Sequence, residues 1–172
     1  VYKSTNNGTS WQSPTKIAKL GYIQDVYANN SDKIIAVGEP TLPSTIGEQI
    51  IVSDDGGQSW TSISLLSLDA DLRSIKMIDA NTGYTVGSNG SIWKTTNGGY
   101  DWNLYSSPTT EQAFNAVDFY NAQYGMTAGN NGEVWKTTDG GTTWTSLTGL
   151  IPSDYFNGIA MIDSISALAI GF

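Results

Sequence analysis

Short apolar and β-branched runs alternate with clusters of Asn, Asp, Ser, Thr and Gly along the whole chain. The segments "FNAVDFYN" (114–121), "YGMTAG" (124–129), "EVWKTT" (133–138) and "TWTSL" (143–147) are one such succession. Each is too short for a stable helix, and no window holds a sustained 3.6-residue apolar period. The residues between the runs, such as "NTG", "NNG" and "DGG", suit tight hairpins, where positive φ is needed. The pattern predicts short antiparallel strands in groups of four, A to D, and an all-β chain.

The groups repeat. "VYKSTNNGTSW" (1–11), "IIVSDDGGQSW" (50–60), "IWKTTNGGYDW" (92–102) and "VWKTTDGGTTW" (134–144) align without gaps. Their closing residues, Trp11, Trp60, Trp102 and Trp144, are spaced by 49, 42 and 42. Fifteen residues after each Trp stands a β-branched residue (Val26, Ile75, Val117, Ile159), and 12 further on a glycine (Gly38, Gly87, Gly129, Gly171). All the irregularity is one seven-residue insertion within "EPTLPSTIGEQ" (39–49). Repeats therefore run at about 1–49, 50–91, 92–133 and 134–172 within one β-propeller region, 1–172. A period near 42 with four strands per unit predicts propeller blades, each burying its faces against neighbours.

The repeated turn has a chemical logic. The sets Ser4–Asn6–Gly8–Trp11, Ser53–Asp55–Gly57–Trp60, Thr95–Asn97–Gly99–Trp102 and Thr137–Asp139–Gly141–Trp144 share one spacing. An Asp or Asn can accept from backbone N–H groups just ahead of it, Gly supplies positive φ, and Trp supplies apolar area. The reading is a structural corner between strands C and D, with all four tryptophans buried in equivalent places.

These residues resemble the Asp-box, or bacterial neuraminidase (BNR), repeat. The stretch "AVDFYNAQYGMTAGNNGEVWKTTDGGTTW" is similar to the propellers of photosystem II stability/assembly factors and related secreted bacterial proteins. The resemblance covers essentially the whole chain and implies four-stranded antiparallel blades. Its functions are various: glycosidases, assembly factors, receptors and adhesins. Sialidases of this architecture hold a carboxylate with three arginines, whereas this chain has one, Arg73. Assembly factors of the family are associated with a basic patch, whereas the lysines here are scattered. Both activities are disfavoured on that ground.

Composition narrows the remainder. Eight basic against 16 acidic residues leave a net charge of −8, which repels nucleic acid. Without Cys or His there is no thiolate, Ser-His-Asp or ordinary zinc chemistry. No run of 18 apolar residues predicts direct membrane insertion. Val1 opens inside a strand-C pattern, which leaves two readings: a four-bladed ring whose N-terminal strands complete the last blade, or, the favoured one, four blade-equivalents of a larger ring, completed by further blades of the chain or by a partner chain. Abundant Asn, Ser, Thr and Gly suggest a secreted or cell-surface location.

Candidate sites lie on loops. The carboxylates Asp69, Asp71, Glu111 and Asp154, with Glu39 and Glu48, have no diagnostic acid/base spacing. The turn carboxylates do not follow a calcium-loop pattern, so neither a metal nor another cofactor is expected. Phe114 and Phe156 align with Leu72 and Ile23 as core positions, and Lys76 and Asp118 as an inter-blade ion pair. The binding candidates are Glu39, Leu42, Pro43 and Ile46 of the insertion, with Tyr105 and Tyr155 as surface aromatics. Connections B–C and D–A share one face, so the insertion is expected there. The expected function is non-enzymatic, extracellular binding of a protein or glycan. The alternatives are part of a glycoside hydrolase, or an assembly factor for a membrane protein complex.

Overall fold

The computed structural model describes residues 2–12, 20–29, 32–40, 48–65, 71–106, 111–147, 149 and 155–172. Three four-stranded antiparallel meanders follow one another. The first holds β1 (Leu20–Ala28), β2 (Ile34–Pro40), β3 (Glu48–Ser53) and β4 (Thr61–Ser64). The second holds β5 (Leu72–Met77), β6 (Gly83–Gly87), β7 (Ile92–Thr95) and β8 (Asn103–Ser106). The third holds β9 (Phe114–Phe119), β10 (Gly125–Gly129), β11 (Val134–Thr137) and β12 (Thr145–Ser146). A two-stranded sheet, β13 (Phe156–Met161) with β14 (Ala167–Gly171), comes last. First strands pack on first strands, β1 on β5, β5 on β9 and β9 on β13, which stacks the sheets as propeller blades.

The core lies between blades. Ile35, Val37, Val52, Ile75 and Trp93 fill the first interface; Tyr84, Val86, Ile92, Phe114 and Val117 fill the second. Ala128, Val134 and Phe156 begin the third. Equivalent positions at the two ends of the stack are uncovered. Val26, the partner of Ile75 and Val117 in the repeat, is exposed, as are Leu168 and Ile170, the counterparts of Tyr84 and Val86. Ile23 is likewise exposed, contrary to the core position expected from its alignment with Phe114. The residue types match; only the presence of a facing sheet differs.

The same rule corrects the tryptophans. Trp102 is 8% exposed and packs in the interface with the preceding sheet, but Trp11 is 61% exposed and Trp60 and Trp144 are half-buried. Trp60 packs on Ala36 and Ile51 of its own sheet, whereas Trp102 and Trp144 are covered from the preceding blade. Among the described residues, Trp11 has no such blade.

Glycines mark close approaches. In each sheet the strand-B glycine lies so near strand A that an added Cβ would meet a backbone carbonyl oxygen at 1.9–2.0 Å: Gly38 at Tyr22, Gly87 at Asp71, Gly129 at Ala113, Gly171 at Tyr155. The B–C tips Asn89–Gly90 and Asn131–Gly132 have φ of 56° and 63°, and 55° and 73°, the pairing of a type I′ hairpin. In the first sheet the insertion replaces this tip. Its residues 41–47, including Leu42, Pro43 and Ile46, lie outside the described residues. Pro40 pairs with Leu20, and Glu48 with Ser64, so both ends of the insertion emerge where β1 starts and β4 ends.

Candidate functional site: the polar bulge ring

The site is built by one repeated irregularity. In the first sheet Ile23 pairs with Gly38 and Asp25 with Val37, leaving Gln24 without an opposite residue. In the second, Leu72 pairs with Gly87 and Ser74 with Val86, leaving Arg73. Asn115 and Asn157 are left over in the same way in the third and fourth. These are β-bulges, which re-aim a side chain out of the ladder. The absent Cβ of the facing glycine lets the strands close at that point. Four equivalent bulges thus present Gln24, Arg73, Asn115 and Asn157 at one end of the four first strands, the end where the B–C and D–A connections meet.

Two of the bulged side chains, Arg73 and Asn115, link neighbouring blades. Arg73 Nη1 donates to Asn115 Oδ1 at 2.6 Å, and Asn115 Nδ2 donates onward to Asn130 Oδ1 and to the Phe156 carbonyl, both at 2.8 Å. Gln24 Nε2 donates to Glu39 Oε1 at 2.8 Å, and the Asp71 amide donates to Ser88 Oγ at 3.0 Å. Arg73 is half-buried and has one hydrogen bond among the described residues, so most of its fork of donors remains available. The ring offers planar donors beside the Glu39 carboxylate, a set suited to the amides and carboxylates of a polypeptide. No helix among the described residues is long and apolar enough to cross a membrane.

The expected site residues fall in different places. Glu39 stands in this ring, against Gln24. Tyr155 stands at the same end, its ring stacked on Phe172 at 6.0 Å, with reciprocal backbone hydrogen bonds between the two. Tyr105 is elsewhere: it lies against Lys94 and donates to Thr142 Oγ1 at 3.3 Å, joining the second blade to the third. Gln24, Arg73, Asn115 and Asn157 were not among the sequence candidates. Their signal was present, since the residue two before the β-branched one is polar in every repeat.

The Asp-boxes occupy the opposite end as corners. Gly8, Gly57, Gly99 and Gly141 have φ of 80°, 90°, 93° and 77°. Asp55 Oδ1 accepts from the amides of Gln58 and Ser59, and Asp139 Oδ1 from that of Thr143. Both carboxyls are held below the ordinary range, for Asp55 chiefly by the Ser59 hydroxyl and for Asp139 chiefly by the Thr143 amide. Lys3 Nζ on the Gly56 carbonyl (3.0 Å) and Lys94 Nζ on that of Gly140 (3.1 Å) are equivalent links, each from one box strand to the next box. Lys76 and Asp118 form the expected pair at 2.7 Å between β5 and β9.

Stacked four-stranded sheets, Asp-box corners and this repeat register define a BNR-repeat β-propeller. Residues 53–154 match the model of the photosynthesis system II assembly factor YCF48, and the chain belongs to that family. Among solved structures, it is similar to YCF48 bound to D1 peptide, with a TM-score of 0.70 and 19% identity over 91% of this chain and 49% of that one. It is also similar to YCF48 from Cyanidioschyzon merolae (0.63, 19%, 99% of this chain and 60% of that one). An ancestral GH74 enzyme matches too (0.67, 16%, 88% and 22%). The chain spans about half the length of the first of these. Comparison with curated proteins gives no match.

Two expectations are corrected here. An extracellular or cell-surface location does not stand, because the family is that of the photosynthesis system II assembly factor YCF48. The expectation that scattered lysines disfavour an assembly factor is also outweighed, since the family match supports that alternative. Counting Arg and Lys weighed net surface charge, whereas family membership rests on blade architecture.

Proposed function

We propose that the protein is an assembly-factor module that holds a polypeptide segment of a membrane protein complex on the polar bulge ring. Family membership carries this reading. The structure of a relative with a D1 peptide bound supports a polypeptide as the ligand class. The ring supplies matching chemistry: Arg73, held by Asn115, for a carboxylate, Asn157 for backbone amides, and Glu39 for an incoming N–H. Likeness to GH74 enzymes, at 16% and 17% identity, is likeness of fold, and nothing in the ring favours hydrolysis.

The test is calorimetric titration of the protein with a D1 peptide. Binding should weaken about tenfold in Arg73→Ala, the scale of one charge-assisted hydrogen-bonded contact. Undiminished binding by Arg73→Ala and Asn115→Ala would place the peptide elsewhere. No binding by the wild type would remove the reading.

A further inference from the structure

One repeat position is filled in two blades and left short in the third. The residue before the aligned Ile50, Ile92 and Val134 of strand C is Gln49 in the first blade, Ser91 in the second and Glu133 in the third. Gln49 is fully buried, and its Oε1 accepts from the Leu65 amide at 3.1 Å. Glu133 Oε2 accepts from Trp135 Nε1 at 2.6 Å. In the second blade the counterpart of Trp135 is Trp93, but the Ser91 hydroxyl is too short to play the part of Glu133. Trp93 Nε1 and Ser91 Oγ are both buried, the residues 5% and 8% exposed, and neither has a hydrogen-bond partner among the described residues. Two orphaned polar groups at one spot are what a missing acceptor leaves behind.

The spot adjoins a groove. Between β4 of the first blade and β8 of the second runs a cavity of about 730 Å³, whose walls include Ile63, Leu65, Trp93, Tyr100, Trp102 and Leu104. Ser64, Asp101 and Asn103 make its walls nearly as polar as apolar, and Trp93 contributes to them. Both strands are the outermost of their sheets.

We infer that this groove is a second polypeptide-binding site: an extended segment lies along it and inserts one glutamine or glutamate side chain, whose oxygen accepts from Trp93 Nε1. The inference rests on the reading that the partner is a polypeptide. The ligand side chain takes the place that Glu133 fills from within the third blade, and that residue defines its length and its planar oxygen. Net charge of −8 and Asp101 in the groove wall favour the neutral amide over the carboxylate.

The experiment follows the indole N–H resonance of Trp93 in the ¹⁵N-labelled full chain, assigned with Trp93→Phe. The probes are N-acetylated, C-amidated Thr-Val-Gln-Val-Thr and its versions with Glu or Ala at the centre. The Gln peptide should move the Trp93 indole proton downfield and bind at least about tenfold more tightly than the Ala peptide. Ser91→Gln should fill the notch from within, leave Tm unchanged or higher, and weaken the Gln peptide by about tenfold. If Ser91→Gln misfolds, Ser91→Ala keeps the notch open and should still bind the Gln peptide. Equal binding of the Gln and Ala peptides, or an unmoved Trp93 resonance, would show that the notch holds only water and overturn the inference. Arg73→Ala separates the two sites: D1-peptide binding lost there, with Trp93 unmoved by any probe, sinks the groove and leaves the ring reading standing.

Discussion

Within each Asp-box the choice between Asp and Asn is matched by the residue four places on. Asp55 Oδ2 accepts from the Ser59 hydroxyl at 2.5 Å, and Asp139 Oδ2 from that of Thr143 at 2.7 Å. In the third box the roles reverse: Asn97 Nδ2 donates to the Asp101 carboxylate at 2.6 Å. Asn6 Nδ2 donates to Ser10 Oγ at 2.8 Å, a partner that serves either way. Asn97→Asp should therefore set two carboxylates against each other and lower stability by roughly 1 kcal/mol, as measured by urea denaturation. Asp139→Asn should cost less than Asn97→Asp, since Thr143 can accept as well as donate and no like charges are set together. The acidic boxes also carry a pH signature. A carboxyl held below its unfolded pKa adds stability that is complete above about pH 4 and fades as pH falls through the folded value. Asp55→Asn with Asp139→Asn should flatten the loss of Tm below about pH 4; an unchanged profile would assign acid sensitivity to other groups. The glycines give a second check at this scale. Gly141 combines a φ of 77° with an absent Cβ that would stand 2.9 Å from the Tyr84 ring. Gly141→Val should cost about 3 kcal/mol or more, and Gly87→Ala a comparable amount because a backbone carbonyl cannot step aside.

At the scale of the element, the same box means different things in different blades. Trp102 donates to the Gly99 carbonyl at 2.9 Å and lies in the inter-blade core, so Trp102→Ala should cost roughly 3–5 kcal/mol in thermal unfolding. Trp11 has the same turn around it but no covering sheet among the described residues, and Trp11→Ala should change stability by less than about 0.5 kcal/mol. Equal losses at the two positions would contradict the burial seen here. The bulges show the converse. Their polar residues were legible as a repeated position, but a bulge is a register event between two strands. Only the pairing of Gly38, Gly87, Gly129 and Gly171 with strand A reveals which residue is left over.

At the scale of the molecule, stability comes from blade-to-blade contacts that reach about one period along the chain. Asp118 joins three blades: Oδ1 meets Lys76 of the second, while Oδ2 accepts from the Met161 amide of the fourth at 2.7 Å. Asp25 does similar work nearer the start, with Oδ2 accepting from the Ile75 amide at 2.9 Å. Lys76→Ala removes one half-exposed partner and should cost at most about 1 kcal/mol. Asp118→Ala strips two blades of a contact and should cost about 2 kcal/mol, with a coupling to Lys76 well below that total in a double-mutant cycle.

The strands, the repeat register, the corner glycines and the family resemblance were all legible in the sequence. Local chemistry dictates them: a positive φ needs Gly or Asn, an Asx turn needs a short acceptor, and a buried strand needs β-branched residues, whatever surrounds them. The Lys76–Asp118 pair was legible for the same reason, because repeat alignment places both on strands A of adjacent blades. What only the tertiary structure decided is which equivalent residues are covered, which are thrown out of register, and which are left without a partner. Val26 and Ile75 are alike in sequence and differ in exposure because one faces a sheet and the other does not. Arg73 became a site residue through a glycine 14 positions away, and Trp93 became a candidate through the shortness of Ser91 beside it. Such properties belong to pairs of surfaces, and a pattern read along one chain does not contain the surface that lies opposite.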